Sequence, residues 1–197
     1  MNQLHRLALA VVLCGPLLAI AAPAPAPMAP LPKDSVYQLP AAMTDQSGRR
    51  FDWRSRRGRP QVVSMIYSNC KFICPLLIDS GKAVQKHLSP AQRSRVALLY
   101  ISMDPKRDTP KALAVLAASR KLDSNWTLAR PEESDVRAIA GVLGVRYRQL
   151  ADGEFNHTSV LTLLDPNGRV LARTEQIGAV PDPAFLAAVR SAAAAKP

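Results

Sequence analysis

The chain has 197 residues, 48% of them hydrophobic, and a formal net charge of +11. This length suits one ordinary domain with a sizeable core and leaves little room for a second one. The positive charge suggests nucleic-acid binding, but the basic residues do not interleave with aromatic residues on one element, which argues against that class. The densest basic cluster, residues 49–59, is interpreted as a solvated hairpin, with docking to an acidic partner or an anionic membrane surface as the alternative.

The chain begins with the pattern of a secretory signal peptide. His5 and Arg6 give a weakly basic start, residues 7–22 are apolar, and Ala-Ile-Ala at residues 19–21 is a small-x-small cleavage site. This arrangement is typical of a signal that is removed from the mature protein. We therefore predict a signal peptide over residues 1–21 and a periplasmic mature chain without a membrane span.

Two alternatives to cleavage are an uncleaved anchor and a lipoprotein. Spanning a bilayer takes roughly 20 apolar residues, whereas this run is shorter and is interrupted by Gly15 and Pro16. A lipid on Cys14 would require a small residue before it, and Leu13 stands there. After the signal, residues 22–37 are rich in Ala and Pro and are predicted to form an extended tether, so that the folded domain covers residues 38–197.

The stretch from Gln61 to Pro75 carries the residues with the most specific chemistry. Its apolar, β-branched first part, residues 62–67, predicts one buried strand. Cys70 and Cys74 follow with three residues between them, and the proline comes directly after the second cysteine. Proline suits the first position of a helix, so Cys74 is expected near the helix N-cap. The partial positive charge of a helix N-terminus stabilises a thiolate and lowers the thiol pKa.

Cys70 and Cys74 are the only cysteines left after removal of the signal peptide. In an oxidising compartment an isolated pair is usually a structural disulfide. A bond that closes so short a loop constrains the unfolded chain very little, however, so a chemical role is the better explanation. We therefore predict a redox-active pair that cycles between dithiol and disulfide.

The remaining chain alternates helices and strands. Predicted helices cover residues 74–88, 110–122, 132–143 and 183–192, and Gly144 is expected to stop the third. Predicted strands cover residues 95–102, 126–128, 145–150, 157–164 and 169–174, and a turn at residues 44–48 separates two short ones. This alternation, with its terminal hairpin, predicts the α/β class, a single domain with a mixed β-sheet flanked by helices.

Four motifs occur in a fixed order along the chain. They are Thr44-Asp45-Gln46, Cys70-x-x-x-Cys74-Pro75, Asp104-Pro105-x-x-Asp108-Thr109-Pro110, and His157-Thr158 followed by Leu164-Asp165-Pro166-x-Gly168. Together they resemble the SCO/SenC family of exported, thioredoxin-like copper proteins. The resemblance spans about residues 38–190, nearly the whole predicted domain. The cysteine motif alone would be weak, and the aspartate loop and the late histidine make the combination specific.

The resemblance implies a copper ion bound by Cys70, Cys74 and His157. It also implies that the protein delivers copper to the CuA centre of cytochrome c oxidase, or keeps the cysteines of that centre reduced. The partner would be the oxidase subunit that carries CuA, or another periplasmic copper or thiol protein, and the chain is expected to be a monomer. Two thiolates and one imidazole are a soft donor set that suits Cu(I) or Cu(II), although zinc is compatible with the same ligand types.

Two further side chains have alternative interpretations. A lone histidine at a strand start is more often a partly buried residue than a ligand, and only the family position favours His157 as a ligand. Thioredoxin-like folds usually carry a cis-proline opposite the cysteine turn, and residues 156–158 contain no proline. Asp104, at the start of a loop, is either a turn-capping residue or a carboxylate that orients a ligand or holds water near the metal. His87 is interpreted as a surface residue.

Residues 71–73, Lys-Phe-Ile, depart from the family pattern, which commonly has a proline and an acidic residue between the cysteines. Lys71 would stabilise a thiolate and oppose the approach of a cation, which favours redox work over metal delivery. The alternative function is therefore a metal-independent periplasmic thiol–disulfide oxidoreductase. A peroxiredoxin-type peroxidase is a poor match, because neither cysteine has Thr or Ser three residues before it.

Overall fold

The two strands predicted to be buried form the middle of a seven-stranded sheet. In the computed structural model, which describes residues 29–195, every residue of Gln61–Ile66 and of Ala97–Ser102 is buried. Strands that are covered on both faces need apolar side chains at nearly every position, which explains the near-continuous hydrophobic runs in the sequence. The two strands are parallel neighbours.

The sheet contains strands of both directions and is flanked by helices. Its strands are β1 (Ala42–Asp45), β2 (Arg50–Asp52), β3 (Gln61–Ile66), β4 (Ala97–Ser102), β5 (Trp126–Pro131), β8 (Leu161–Leu164) and β9 (Val170–Thr174), and β6 (Tyr147–Gln149) and β7 (Phe155–His157) form a separate two-stranded sheet. The order across the large sheet is β2-β1-β5-β4-β3-β8-β9. β3, β4 and β5 are parallel, whereas β1 and β8 pair antiparallel with their inner neighbours.

The helices lie in the connections between these strands. They are α1 (Ile73–Lys86), α2 (Pro90–Arg95), α3 (Pro110–Ser119), α4 (Val136–Leu143) and α5 (Pro183–Ala194). The parallel strands are joined through helices, as crossover connections require. The predicted α/β class with a mixed sheet is therefore confirmed.

Among the differences between the structure and the predicted elements are the following three. α1 begins at Ile73, so that Pro75 is the third helical residue instead of the first. The first N–H groups of a helix have no partner within it, and proline therefore fits there as well. The predicted strand 157–164 is wrong, because the chain leaves β7 after His157 and enters β8 only at Leu161. The short helix α2 lies where no helix is predicted.

The folded part begins earlier than the predicted boundary at residue 38. Val36 and Tyr37 are buried in the core, and the Tyr37 ring packs edge-on against Trp53 at a centroid distance of 6.0 Å. The end of the predicted tether, residues 22–37, therefore belongs to the domain. The predicted signal peptide at residues 1–21 lies outside the described residues. Within residues 29–195, no helix is both long enough and apolar enough to cross a bilayer.

The basic cluster at residues 49–59 makes structural contacts. Arg54 donates hydrogen bonds to two backbone carbonyl oxygens of the preceding segment, at 2.9 and 3.1 Å. The Arg56 guanidinium donates to the side-chain oxygen of Gln61 at 3.1 Å. These arginines fix the chain before β3, which fits the interpretation as a hairpin better than that as a docking surface.

Candidate metal and thiol site

Cys70 and Cys74 lie beyond the carboxyl end of β3, where the chain turns into α1. Cys70 is in the connecting loop and Cys74 is the second residue of α1, and they are 9% and 2% exposed. The backbone N–H of Cys74 donates a hydrogen bond to Cys70 Sγ at 3.3 Å. This bond satisfies one of the N–H groups that a helix leaves unpaired at its start. Both side chains are free thiols, so the structure represents the reduced form of the pair.

The two thiols differ in their tendency to ionise. The pKa of Cys70 is lowered to about 5, chiefly by the hydrogen bond from the Cys74 thiol. Burial acts in the opposite direction. The pKa is lowered further by the backbone N–H groups of Cys74 and Phe72 and by the Tyr67 hydroxyl. The same thiol–thiol hydrogen bond, together with burial, raises the pKa of Cys74 well above its ordinary value. At neutral pH the pair is therefore a Cys70 thiolate beside a Cys74 thiol. The lowered pKa of Cys70 agrees with the sequence prediction that one thiol ionises easily. The largest cause of this lowering is the Cys74 thiol, and Lys71 is not among the causes.

His157 is the last residue of β7 and reaches the cysteines from 83 positions along the chain. Its Nε2 lies 4.0 Å from Cys74 Sγ. Its Nδ1 lies 3.1 Å from the carbonyl oxygen of Thr158 and donates a hydrogen bond to it. This bond assigns the proton to Nδ1 and leaves the Nε2 lone pair directed toward the thiol, as a metal-binding histidine requires. The ring also stands edge-on against Tyr67 at 6.2 Å.

The three predicted ligands are connected in pairs and do not form a closed metal cluster. Among residues 29–195, no group of three or more His, Cys, Asp or Glu side chains is already arranged to hold a metal ion. Cys74 is the shared member, because it contacts Cys70 through its N–H and its thiol, and His157 through its sulfur. Zinc bonds to sulfur and imidazole nitrogen sum to about 4.3 Å, so one ion can contact both sides of the 4.0 Å gap. The donor types fit a soft metal, and the assignment of all three as ligands stays a prediction.

Side chains beside the cysteines hold the β6–β7 hairpin, and with it His157. The Tyr67 hydroxyl donates a hydrogen bond to a carboxylate oxygen of Glu154 at 2.9 Å, and its ring packs on Phe155 at 5.1 Å. Asn69 donates to the other carboxylate oxygen of Glu154 at 3.4 Å. Tyr67 and Glu154 are 87 positions apart, so no local pattern in the sequence signals this pair. Sequence reasoning missed both residues.

Asp104 is buried and supports the same hairpin from the loop after β4. Its carboxylate pairs with Arg107, whose guanidinium also donates a hydrogen bond to the carbonyl oxygen of Gly153 in the hairpin turn. Its backbone N–H donates to the hydroxyl of Ser102 at 2.9 Å. These hydrogen bonds fit the turn-forming interpretation of Asp104, and they connect it to the hairpin that carries His157.

Asp108 is a second buried carboxylate that sequence reasoning did not assign to the site. It accepts hydrogen bonds from the backbone N–H of Ser68 at 3.0 Å and from the hydroxyls of Ser68 and Ser102. Burial raises the pKa of Asp108, and these hydrogen bonds act in the opposite direction. Because Ser68 lies two positions before Cys70, Asp108 fixes the entry to the cysteine loop. The feature of the sequence that could have identified Asp108 is its position in the Asp-Pro-x-x-Asp-Thr-Pro motif.

The chain is similar to a known protein family and to solved structures. A family model described as SCO1/SenC matches residues 32–193. A curated SCO1 protein homolog of Bacillus subtilis is 27% identical over 161 residues, which cover 80% of this chain and 83% of the relative. A solved structure is that of BsSco, a member of the Sco family of cytochrome c oxidase assembly proteins in which a disulfide switch was identified. BsSco is 26% identical to this chain, and the two superpose with a TM-score of 0.67 over 80% of this chain and 94% of BsSco.

A copper-bound structure shares the fold. Bradyrhizobium japonicum ScoI with copper bound is 22% identical and superposes with a TM-score of 0.62 over 79% of this chain and 94% of ScoI. At that identity the likeness is evidence for the fold. The predicted thioredoxin-like mixed sheet flanked by helices is thus confirmed.

Proposed function

The chain belongs to the SCO1/SenC family, and from this premise we propose that it binds one copper ion through Cys70, Cys74 and His157. The bound copper, or the reducing power of the two thiols, would serve assembly of the CuA centre of cytochrome c oxidase. The observation that carries the proposal is the His157 ring, whose Nε2 lone pair faces Cys74 Sγ at 4.0 Å while Nδ1 is held by a backbone carbonyl.

The donor set is compatible with copper and with zinc, and membership of the SCO1/SenC family favours copper. Thiolate sulfur selects Cu(I), and imidazole nitrogen suits Cu(I) and Cu(II) alike. Cys70 is already a thiolate at neutral pH, whereas Cys74 must release its proton when a metal binds. Copper bound to ScoI of B. japonicum supports the choice of metal by analogy within one fold.

The site of action that we propose is the periplasm, with the oxidase subunit that carries CuA, or another periplasmic copper or thiol protein, as the partner. The signal-like pattern of residues 1–21 supports export. The relation to BsSco, described as belonging to a family of oxidase assembly proteins, supports the choice of partner.

Copper titration of four variants tests the ligand set. His157→Ala should keep part of the Cu(I) affinity, because two thiolates alone hold that ion, and should lose most Cu(II) binding. Cys70→Ser and Cys74→Ser should abolish binding of both states. His87→Ala is the matched control, since His87 is exposed and its Nδ1 contacts the Ala83 carbonyl oxygen within its own helix. Visible absorption and competition with a chelator give the affinities.

A second function, metal-independent thiol–disulfide exchange, is favoured by the difference between the two thiols. The Cys70 thiolate is a ready nucleophile, and the Cys74 thiol beside it supplies the second sulfur. Thiol cycling should therefore be almost unchanged in His157→Ala. If His157→Ala bound both copper states like the wild type, His157 would no longer count as a ligand and the exchange function would replace the copper function.

A further inference from the structure

An exposed phenylalanine lies between the two reactive cysteines. Phe72 is 84% exposed, in the loop that joins Cys70 to α1. Val115, on α3, is 63% exposed and lines a shallow cleft together with Ser68, two positions before Cys70. A partner that brings a sulfur to Cys70 therefore comes close to Phe72, which lies two positions further along the same loop.

Four cations around the same thiols have no ion-pair partner in the described part of the chain. Lys71 is exposed between the cysteines, and Lys111 lines the cleft that contains Ser68. Arg146 and Arg148 line a cleft of about 580 Å³ together with His157. Arg148 lies in β6 and Arg146 directly precedes that strand, and both are exposed at this cleft.

The carboxylates nearby are almost all engaged within the protein. Asp108 accepts three hydrogen bonds from two serines, and Glu154 accepts bonds from Tyr67 and Asn69. Asp104 pairs with Arg107. Glu175 is the exposed carboxylate in the arginine-lined cleft. Glu154 keeps its negative charge, because its hydrogen-bond donors are neutral, whereas Asp108 is fully buried. Four exposed, unpaired cations therefore outnumber the two carboxylates at this surface, Glu154 and Glu175, and leave it with an excess of positive charge.

We propose that this surface docks an acidic protein, whose own cysteines or metal site are surrounded by carboxylates and lie next to an apolar contact for Phe72. The inference rests on the proposed function and names the chemistry of its partner. Apolar residues at the centre with charged residues at the rim are the usual anatomy of a protein–protein interface. Opposite charges on two such rims steer the encounter and exclude basic partners.

The probes are cyclic disulfide peptides with the core Cys-Ala-Ala-Ala-Cys, flanked on both sides by three Glu, three Gln or three Lys residues. The Cys70 thiolate attacks one probe sulfur, the probe S–S bond breaks, and the other probe sulfur leaves as a thiolate. Cys74 then passes its proton to that thiolate and attacks the Cys70 sulfur, which releases the first probe sulfur as a thiolate that takes a proton from water. The protein pair loses two electrons, and the probe gains them as a dithiol.

The rate constants are measured with the full reduced chain at low and high ionic strength, each divided by the rate of the same peptide with dithiothreitol. We expect the Glu peptide to react at least about tenfold faster than the Lys peptide at low salt, and the ratio to fall toward one near 1 M salt. Arg146→Gln with Arg148→Gln should reduce the ratio severalfold. Arg59→Gln with Lys86→Gln is the control, because Arg59 precedes β3 and Lys86 ends α1, away from the thiols.

A second acidic peptide with Leu in place of Ala between its cysteines tests the apolar contact. The wild type should react with it faster than with the Ala peptide, and Phe72→Ser should remove that preference. Equal rates for the Glu and Lys peptides at low salt would overturn the proposal. It would also be overturned if the preference survived the Arg146/Arg148 change, or if those arginines instead governed binding to vesicles of phosphatidylcholine and phosphatidylglycerol.

Copper affinity, measured on the same protein samples, separates this inference from the proposed function. The Arg146/Arg148 variant should bind copper like the wild type, because neither arginine is a proposed ligand. Normal copper binding without a charge preference would remove the docking proposal alone. If the wild type showed the charge preference but bound no copper, the copper function would be withdrawn and the docking of an acidic thiol protein would stand.

Discussion

Cys70 and Cys74 carry the same side chain but have opposite chemical states, because each shifts the pKa of the other. A single hydrogen bond from the Cys74 thiol stabilises the Cys70 thiolate, and the N–H groups of the helix start add to it. The nucleophile is thus the cysteine in the loop, and the cysteine in the helix keeps its proton. His157 faces the helical cysteine, so the thiol that must lose its proton when a metal binds is also the one beside the imidazole.

The alkylation rate of Cys70 should reflect this ionisation. Since its pKa is lowered to about 5, the rate with iodoacetamide should rise through an inflection near that pH and stay level up to neutrality. Cys74 should remain unreactive over the same range, because its pKa is raised. In Cys74→Ala the inflection should move toward that of an ordinary cysteine. Peptide mapping by mass spectrometry identifies the labelled residue, and preferential labelling of Cys74 would contradict this assignment.

Asp108 should matter for stability far more than an exposed carboxylate. Asp108→Ala leaves the Ser68 N–H and two hydroxyls without their buried acceptor, and should lower the free energy of unfolding by about 2 to 3 kcal/mol. Asp34→Ala breaks only the exposed pair with Arg169, and should change it by less than about 1 kcal/mol. Urea unfolding measures both. Equal losses would mean that the buried network contributes little.

At the scale of secondary-structure elements, the site depends on a hairpin that is separate from the main sheet. β6 and β7 pair only with each other, so side chains such as Tyr67 and Arg107 hold the hairpin in place. The position of His157 is therefore set by contacts that arise only after the chain has folded.

This arrangement explains how far the sequence could predict the site. The buried strand, the cysteine turn, the start of α1 within one residue and the stop at Gly144 follow from local patterns. The break between β7 and β8 was missed, because an apolar run does not reveal where the chain changes sheets. The Tyr67–Glu154 pair was missed because its members are 87 positions apart. His157 was found through a motif, and no periodicity singled it out.

Two helical glycines should respond in opposite ways to the same substitution. A Cβ at Gly81 in α1 would clash with the Tyr100 hydroxyl and lie 2.6 Å from the Trp126 ring, so Gly81→Ala should overpack the core at a cost of about 1 to 3 kcal/mol. That exceeds the roughly 1 kcal/mol gained in helix propensity. A Cβ at Gly141 in α4 meets nothing within 4 Å, and Gly141→Ala should stabilise by about 0.5 to 1 kcal/mol. Thermal unfolding gives both signs, and stabilisation by Gly81→Ala would contradict the close packing of α1 on β4 and β5.

At the scale of the whole molecule, two groups of basic residues contribute to the net charge of +11 in different ways. Arginines such as Arg54 and Arg56 donate to backbone and side-chain oxygens inside the fold. Lys71, Lys111, Arg146 and Arg148 lie around the thiols, beyond the carboxyl ends of the parallel strands, where open α/β sheets bind their ligands. Part of the basic composition therefore lies at the candidate site.

The proposed export of the chain gives a prediction for its N-terminus. The mature protein should begin near Ala22 and be recovered in the soluble periplasmic fraction, because the apolar run is short, is interrupted by Gly15 and Pro16, and ends in a small-x-small site. Mass spectrometry of the exported protein measures its first residue. An intact Met1 or a lipid on Cys14 would show that this prediction is wrong.

The central claim is that two sulfurs and one imidazole nitrogen, brought together from distant parts of the chain, hold a single copper ion. X-ray absorption spectroscopy of the Cu(I)-loaded protein tests it most directly, because it counts the sulfur and nitrogen neighbours of the metal. We expect two sulfur neighbours and one nitrogen neighbour in the wild type, and loss of the nitrogen contribution in His157→Ala. A wild-type spectrum with sulfur neighbours alone, unchanged by His157→Ala, would contradict the account.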